Sequence, residues 1–239
     1  LVHGLILPLF LGIPSYQLSP LSFIKAPRRW LDAITRFRAT HTGGPTFAYD
    51  LCQRRIKAAQ LDGLDLSSLR VAVVGAEMVL PEVIERFAST FGHCGLSPGV
   101  LRPGYGLAES TLAVTICDAE AARRPALVVD GGVLSTEKRA VLGEAGGTRR
   151  TRRLLSCGAP LPGLTVAVVD PVTLTRCAER EVGEIWIAGD SGANGYADRP
   201  VETAQTFAAY IAGVPGQRFL RTGDLGFLHH GELVVTGRI

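Results

Sequence analysis

The sequence predicts an α/β fold in two parts: a mostly parallel sheet flanked by helices, followed by a smaller antiparallel, distorted β-barrel. Three observations carry that expectation. In the first half, apolar residues at helical spacing alternate with β-branched apolar runs, the pattern of crossover units on a parallel sheet. In the last third, short strand signals separated by Gly, Asp and Pro replace that alternation. The 239 residues are 46% apolar and 20% charged, enough for a large core in one big domain or two smaller ones.

The opening LVHGLILPLFLGIP is apolar but too short to span a bilayer, and Gly4, Pro8 and Gly12 break it. It lacks the basic start and small-residue cleavage site of a signal peptide. It reads as a buried core segment. No methionine precedes it, and the last residues, ELVVTGRI, stop in mid-pattern. Both ends predict a fragment of a longer protein.

APRRWLDAITRFRAT predicts a helix, with Pro27 suited to a first turn and Trp30, Leu31, Ile34 and Phe37 along one face. GGPTFAYDLCQRRIKAA repeats the device behind Pro45. RVAVVGA, a β-branched run ending at Gly75, predicts a buried parallel strand. LPEVIERFASTFG places Leu80, Val83, Ile84, Phe87 and Phe91 at helical spacing and stops at Gly92. From Asp118 to Arg153 the pattern degrades into short apolar pieces mixed with Gly and charge, which predicts a β-ribbon or an insertion with mobile loops. It holds no GxxxxGK[ST] phosphate loop. LTVAVVD, GEIWIAG, RFLRTGD and GELVVTG then read as strands, with PVETAQTFAAY as a short helix among them. The boundary between the two parts is expected near residue 153, and no internal repeat is visible.

The net charge is only +3 and the arginines are dispersed. The densest basic stretch, TRRTRR from Thr148 to Arg153, reads as a solvated loop rather than a nucleic-acid or lipid patch. No zinc-finger spacing or RNA-binding aromatic signature accompanies it. Five cysteines, at 52, 94, 117, 157 and 177, form no C-x-x-C pair. Their odd number and wide spacing argue against a disulfide framework or structural zinc and for a reducing cytoplasm.

Several polar residues follow apolar runs, at the strand ends where open α/β sheets bind ligands. Gly75-Ala76-Glu77 ends RVAVV. YGLAES sets Glu109 at the head of an apolar segment. FLRTGDLG holds Asp224 in a glycine-flanked turn, and TGRI sets Arg238 near the end. Each has a plainer reading. Glu77 or Glu109 can be a helix-start acid. Asp224 can be a turn residue. Tyr105 can be packing, Arg238 a solvated charge and His41 a loop histidine.

Taken in order, YGLAE, GEIWIAGDSGANGY, FLRTGDLG and GELVVTGR resemble the adenylate-forming enzymes, the AMP-binding, acyl-CoA synthetase-like superfamily. Those enzymes join a carboxylic acid to ATP to give an acyl-AMP. SPLSFIKAPRRWLDAITRFRATHTGGPTFAYDLCQRR, LDLSSLRVAVVGAE, LLSCGAPLPG and Ala108 within YGLAE resemble the fatty acyl-AMP ligase branch. Over nearly the whole chain, the sequence is similar to part of that branch's large N-terminal domain. The resemblance makes residues 1–153 an α/β subdomain, with 118–153 a family-specific insertion, and 154–239 a β-rich subdomain.

The resemblance implies a role for each matching residue. Glu109 would hold the magnesium of Mg-ATP, a hard cation suited to an oxygen ligand. Tyr105 would stack on adenine, with Gly106 and Leu107 beside it and Gly75, Ala76 and Glu77 forming the opposite wall. Asp224 would hold the ribose hydroxyls, and Arg238 would contact ribose or phosphate. His41 is included with the catalytic residues; with Thr42, Gly43 and Gly44 it matches the loop between the acyl tunnel and the α-phosphate. The substrate carboxylate is already ionised at neutral pH, so His41 receives no proton-transfer role. The tunnel wall is expected around Phe47, Ala48 and Val71 to Val74. The implied cofactors are ATP and Mg²⁺. The implied partners are a fatty acid and an acyl carrier protein or polyketide synthase carrier domain, with no nucleic acid.

The branch's lysine-bearing phosphate loop and C-terminal lid do not match any part of Leu1–Ile239. The 239 residues alone are therefore expected not to catalyse adenylation. The insertion at 118–153 would restrain the lid motion that coenzyme A use requires. Two rivals remain: a fatty acyl-CoA synthetase, sharing the nucleotide residues, and a non-catalytic truncated homologue that binds nucleotide or lipid.

Overall fold

The computed structural model describes residues 2–143 and 150–239. The chain divides into two compact units, Leu1–Arg102 and Pro103–Ile239.

In the first unit a π-helical turn, Val2–Ile6, leads into helices α1 (Leu7–Leu11), α2 (Pro20–Lys25) and α3 (Arg28–Phe37). Strand β1 (His41–Gly44), helix α4 (Thr46–Arg55), strand β2 (Val71–Val74) and helix α5 (Pro81–Gly92) follow. β1 and β2 pair in parallel, His41 with Val71 through Gly44 with Val74. The Ala72 N–H donates to Val100 O at 2.8 Å, so the approach to β3 (Leu101–Tyr105) also runs beside β2.

Of the apolar positions expected on one helix face, Leu31 and Ile34 of α3 and Val83, Phe87 and Phe91 of α5 bury, Trp30 and Ile84 are half-buried, and Phe37 and Leu80 stay exposed. The buried ones meet Ala72 and Val74 of β2 and Tyr49 and Cys52 of α4 in the buried core. Tyr49 joins the layers, its hydroxyl donating to Val73 O at 2.9 Å and its ring edge-on to Trp30 and Phe87.

Two expectations fail in this unit. The opening apolar segment is not buried: Leu9 is 73% and Phe10 84% exposed, and neither Val2–Ile6 nor α1 buries a residue. Its breaks are the reason it forms only two short helical pieces, ended by Gly12 in the left-handed region, with no continuous face to pack. And His41–Gly44 is a strand rather than a loop. In HTGG only Thr42 is β-branched and two of the four residues are glycine, so it sends little strand signal of its own. Its pairing with β2 makes it a strand.

In the second unit the end of β3 pairs antiparallel with β4 (Thr115–Ile116). β5 (Leu127–Asp130) pairs with β6 (Thr151–Leu154), with helix α6 (Gly131–Thr136) between them. β7 (Leu164–Val169), β8 (Gly183–Gly189), β9 (Leu220–His229) and β10 (Glu232–Arg238) make an antiparallel sheet in the order β10-β9-β8-β7. Helix α7 (Pro200–Phe207) lies between β8 and β9 in sequence. Alternation along β8 sorts its side chains onto two faces. Ile185 and Ile187 pack with Val166, Leu220, Leu233 and Phe207, while Trp186 and Ala188 pack with Ala167, Val169, Ile211 and Phe219.

Both faces are thus covered by other elements, and the sheet stays open: no closed barrel forms among the described residues. The degraded stretch contains the expected ribbon, β5–β6. Val129, Leu134, Ala140 and Leu154 from it share a cluster with Phe227 and Val234 of β9 and β10. That shared cluster binds residues 127–154 to the β-rich part, so the chain divides at Arg102/Pro103, earlier than the boundary expected near 153. Thr148 and Arg149 of the basic run lie outside the described residues. Thr151–Arg153 form strand rather than the expected loop, paired with β5.

All five cysteines are free thiols, four of them buried, and burial pushes Cys157 up to about 12. No helix among the described residues is long and apolar enough to cross a membrane.

Candidate functional site

In the first unit the candidate residues cluster where β1 and β2 end. His41 to Gly44 are β1 itself, and the Gly75 N–H donates to Gly44 O at 3.3 Å, so the two strand exits lie side by side. His41 is exposed, its Nδ1 2.9 Å from Thr40 Oγ1. Thr42 Oγ1 accepts from Trp30 Nε1 at 2.9 Å. Ala76 sits at φ 64, a left-handed backbone that costs an L-residue about 1–2 kcal/mol and turns the chain sharply out of β2. Exposed Glu77 then reaches the start of α4, where its Oε1 accepts from the Phe47 N–H at 2.6 Å. It is a helix-start acid, as the plainer reading had it, but for α4 rather than for the helix that follows it. Thr46 completes the joint, its hydroxyl donating to Met78 O at 3.1 Å.

In the second unit the motifs far apart in sequence meet. Tyr105 ends β3, and its hydroxyl donates to Asp224 Oδ2 at 2.7 Å across a sequence separation of 119. The tyrosine ring is partly buried against the Val114, Ile185 and Leu233 cluster, as is Leu107. Burial, above all, drives the Tyr105 phenol well above its usual range. Gly106 has no alternative at its position: a Cβ there would lie 1.8 Å from Leu112 O. The glycine lets the chain fold back over itself directly after the tyrosine.

Asp224 lies inside β9 and pairs with Arg238 of β10; it is not in a turn. The glycine beside it suggested a turn, but Gly223 instead takes φ +71 within the strand, where the β8–β9 register shifts. Its N–H donates to Glu184 Oε1 at 3.1 Å. The Asp224 N–H donates to Thr222 Oγ1 at 3.0 Å, and that hydroxyl donates to Ile185 O at 2.7 Å. The Asp224 carboxylate is 19% exposed, with Arg238 Nε 3.5 Å from Oδ1. Arg238 is itself 77% exposed, so the pair contributes little to stability.

Glu109 stands in a single 3₁₀ turn, Ala108–Ser110, not at the head of a helix. Its Oε1 accepts from the Tyr196 hydroxyl at 2.8 Å, and its backbone carbonyl accepts from the Ala193 N–H at 2.7 Å. Thr111 Oγ1 donates to Ser191 O at 2.7 Å, and the Ser110 and Ser191 hydroxyls are 3.1 Å apart. The turn is therefore tied by four bonds to the GDSGANGY segment. The shared hydrogen bond with Glu109 is the main reason the Tyr196 phenol sits above its usual range.

Tyr196 and Glu184 escaped the sequence reading. Glu184 is 2% exposed and accepts from Trp186 Nε1 at 2.9 Å and Arg221 Nε at 2.9 Å, with Arg221 Nη2 at 2.8 Å. A signal existed for it: it is a lone acid opening the apolar run GEIWIAG. Tyr196 closes the glycine-rich stretch that follows.

The AMP-binding enzyme family model matches residues 1–197. The medium-chain-fatty-acid–[acyl-carrier-protein] ligase JamA of Moorena producens is 47% identical over the whole chain, which covers 40% of that protein. TtuA of Teredinibacter turnerae, of the same description, is 37% identical over the whole chain, covering 38% of it. A crystal structure of a fatty acyl-adenylate ligase from L. pneumophila, in complex with acyl adenylate and pyrophosphate, superposes with a TM-score of 0.92. It is 39% identical over 100% of this chain and 41% of its own. The chain thus spans about 40% of the length of the relatives it matches.

Proposed function

Because the chain belongs to the AMP-binding enzyme family, we propose that the complete protein is a fatty acyl-AMP ligase. It would activate a fatty acid with ATP and pass the acyl group to an acyl carrier protein or a polyketide synthase carrier domain in the cytoplasm. The names of the two curated relatives favour a medium-chain acid. The substrate carboxylate attacks the α-phosphorus, pyrophosphate leaves, and the acyl-AMP is the product.

The observation that carries this reading is the Tyr105–Asp224 hydrogen bond at 2.7 Å, which brings together two motifs that this proposal assigns to the nucleotide. Each carboxylate oxygen of Asp224 has about two acceptor positions. Tyr105 takes one on Oδ2 and Arg238 faces Oδ1, which leaves acceptor capacity on both oxygens for the two vicinal ribose hydroxyls. Tyr105, held by its hydroxyl edge, offers a ring face to adenine. Gly106 and Leu107 supply backbone beside it. In the first unit, Gly75, Ala76 and Glu77 offer backbone groups suited to a purine edge. The strand exit His41–Gly44 and the neighbouring Phe47, Ala48 and Val71 to Val74 suit the acyl side.

Glu109 fits magnesium by chemistry: a half-buried carboxylate with Oε1 anchored by Tyr196 and a second hard oxygen to offer. The ion would offset phosphate charge there. Catalysis by the chain's own residues is then positioning and charge stabilisation, with no general base, because a carboxylate nucleophile needs none.

The test is fatty-acid-dependent ATP–pyrophosphate exchange by the complete gene product, with the 239-residue chain assayed beside it. Exchange by the complete product and silence from the 239 residues are expected. Absence of exchange across fatty acids of all lengths would sink the proposal. Offering holo acyl carrier protein and coenzyme A in parallel then separates the branches, since abundant acyl-CoA would make it a CoA synthetase instead.

A further inference from the structure

The hairpin that joins β9 to β10 carries two adjacent histidines, and neither serves the candidate nucleotide residues. His229 ends β9, while His230 and Gly231 form the two-residue turn, at φ 51 and φ 77. Both residues adopt left-handed backbone, the geometry of a type I′ turn, where Asn or Gly is the favoured first residue. An imidazole at that position is held at a conformational cost that Asn would largely avoid. The hairpin lies roughly 16 Å along β9 from Asp224 at about 3.3 Å per residue.

A third residue is brought to the same place. The Arg180 N–H donates to Leu228 O at 3.0 Å, which lays the 179–180 segment against the end of β9. The neighbouring Glu179 accepts the His230 N–H on Oε1 at 2.7 Å. That same oxygen is 3.4 Å from His229 Nδ1 and 3.9 Å from His230 Nδ1. One ligand atom from each of the three residues lies within 4.8 Å of the others. His229 Nδ1 is buried and faces the Glu179 carboxylate without a well-formed hydrogen bond, so a ring nitrogen points into the cluster.

We propose that Glu179, His229 and His230 form a binding site for a late first-row divalent metal of the Zn²⁺ class. Two imidazole nitrogens and one carboxylate oxygen suit Zn²⁺, Ni²⁺ or Cu²⁺, whereas Mg²⁺ and Ca²⁺ take oxygen sets. Ligands about 2.0–2.1 Å from a tetrahedral zinc stand roughly 3.4 Å apart. The Glu179–His229 pair is already at that separation. His230, with its side chain 77% exposed, has room to swing closer. Three protein ligands leave the fourth position to water. The Arg180 charge opposes the ion, and the Glu179 carboxylate answers it.

The experiment titrates Zn²⁺ into the 239-residue chain, free of any polyhistidine tag, by isothermal calorimetry, and follows Co²⁺ binding by its visible absorption. One saturable site is expected. Glu179→Gln keeps an acceptor for the His230 N–H, and His230→Asn keeps a residue suited to the turn, so both variants should retain the wild-type far-ultraviolet circular dichroism. Each is expected to weaken Zn²⁺ binding by roughly tenfold or more, the scale on which metal sites respond even to loss of an outer partner. The double variant should show no saturable binding. No saturable binding by the wild type would overturn the proposal, and so would unchanged binding by the double variant, which would place the ion on other histidines.

Discussion

Glu77 and Asp224 are both acids among the candidate ligand-binding residues, each beside a residue of left-handed backbone, Ala76 in one case and Gly223 in the other. Their surroundings differ. Glu77 is exposed and rests on a bond to the Phe47 N–H. Asp224 is mostly buried and is fixed from three sides: Tyr105 holds its carboxylate, Thr222 its own N–H, and Glu184 the N–H of Gly223. The first region depends on a strand-exit turn and one helix start. The second rests on a buried polar network whose members satisfy one another. Such a network leaves its key residue little freedom, and it fails sharply when an inner member is removed.

The sharpest way to break that contrast is Glu184→Ala. It would leave Trp186 Nε1, the Gly223 N–H and the Arg221 guanidinium without their shared acceptor. Removing one partner of a buried ion pair typically costs 3–5 kcal/mol; Arg221 is 35% exposed and can turn to water, so about 3 kcal/mol is expected. Urea unfolding measures it. A loss below about 1 kcal/mol would mean the network does not hold the strand.

Next in size is Asp224→Ala in the complete protein, expected to weaken ATP binding by roughly 1–3 kcal/mol, the scale for losing hydrogen bonds to a charged group. Tyr105→Phe removes only the hydroxyl that orients the carboxylate, so it should cost less, about 0.5–1.5 kcal/mol. Equal losses would mean that Asp224 acts through Tyr105 rather than on the nucleotide.

This contrast also explains what was legible in the sequence. Alternation and helical spacing announced β2, α3, α5 and β7 to β10, because burial on one face leaves a local period. The motif resemblance singled out Tyr105, Glu109, Asp224 and Arg238. What stayed hidden was partnership. Tyr196 and Glu109 are 87 residues apart, and no period links them. Glu184 is visible as an oddity in an apolar run, but three of its four donors come from Arg221 and Gly223, 37 and 39 residues further along the chain. β1 was missed because HTGG is a strand only through its neighbour. Glycine beside aspartate predicts a turn at Asp224, whereas here Gly223 lies within a continuous strand. The opening segment's hydrophobicity predicts a place in the core, but hydrophobicity reports a need for cover and not its presence.

The two regions can also be compared through their tyrosines. Burial raises the phenols of Tyr49 in the first unit and Tyr105 in the second. A phenol whose folded pKa lies above the unfolded value leaves stability intact below about pH 10 and removes it as pH climbs further, because only the unfolded chain then ionises. Each should therefore cost up to about 1.4 kcal/mol per pH unit above pH 10. Tyr105→Phe should flatten that alkaline slope by one tyrosine's share, read from unfolding at pH 10 and pH 11. An unchanged slope would mean Tyr105 ionises freely while folded.

The smallest expected effect discriminates best at the first region. Glu77→Ala removes the carboxylate that accepts from the start of α4, and an exposed acid at a helix N-terminus contributes about 0.5–1 kcal/mol. Urea unfolding should show that loss at low salt and less of it at high salt, since the interaction is screened. Nucleotide affinity in the complete protein should fall by much less than with Asp224→Ala, because the backbone of Gly75 to Glu77, not the Glu77 side chain, would face the purine. If Glu77→Ala instead leaves stability unchanged and cuts ATP binding as far as Asp224→Ala does, then the carboxylate belongs to the ligand rather than to α4. The two acids would then differ in burial but not in role.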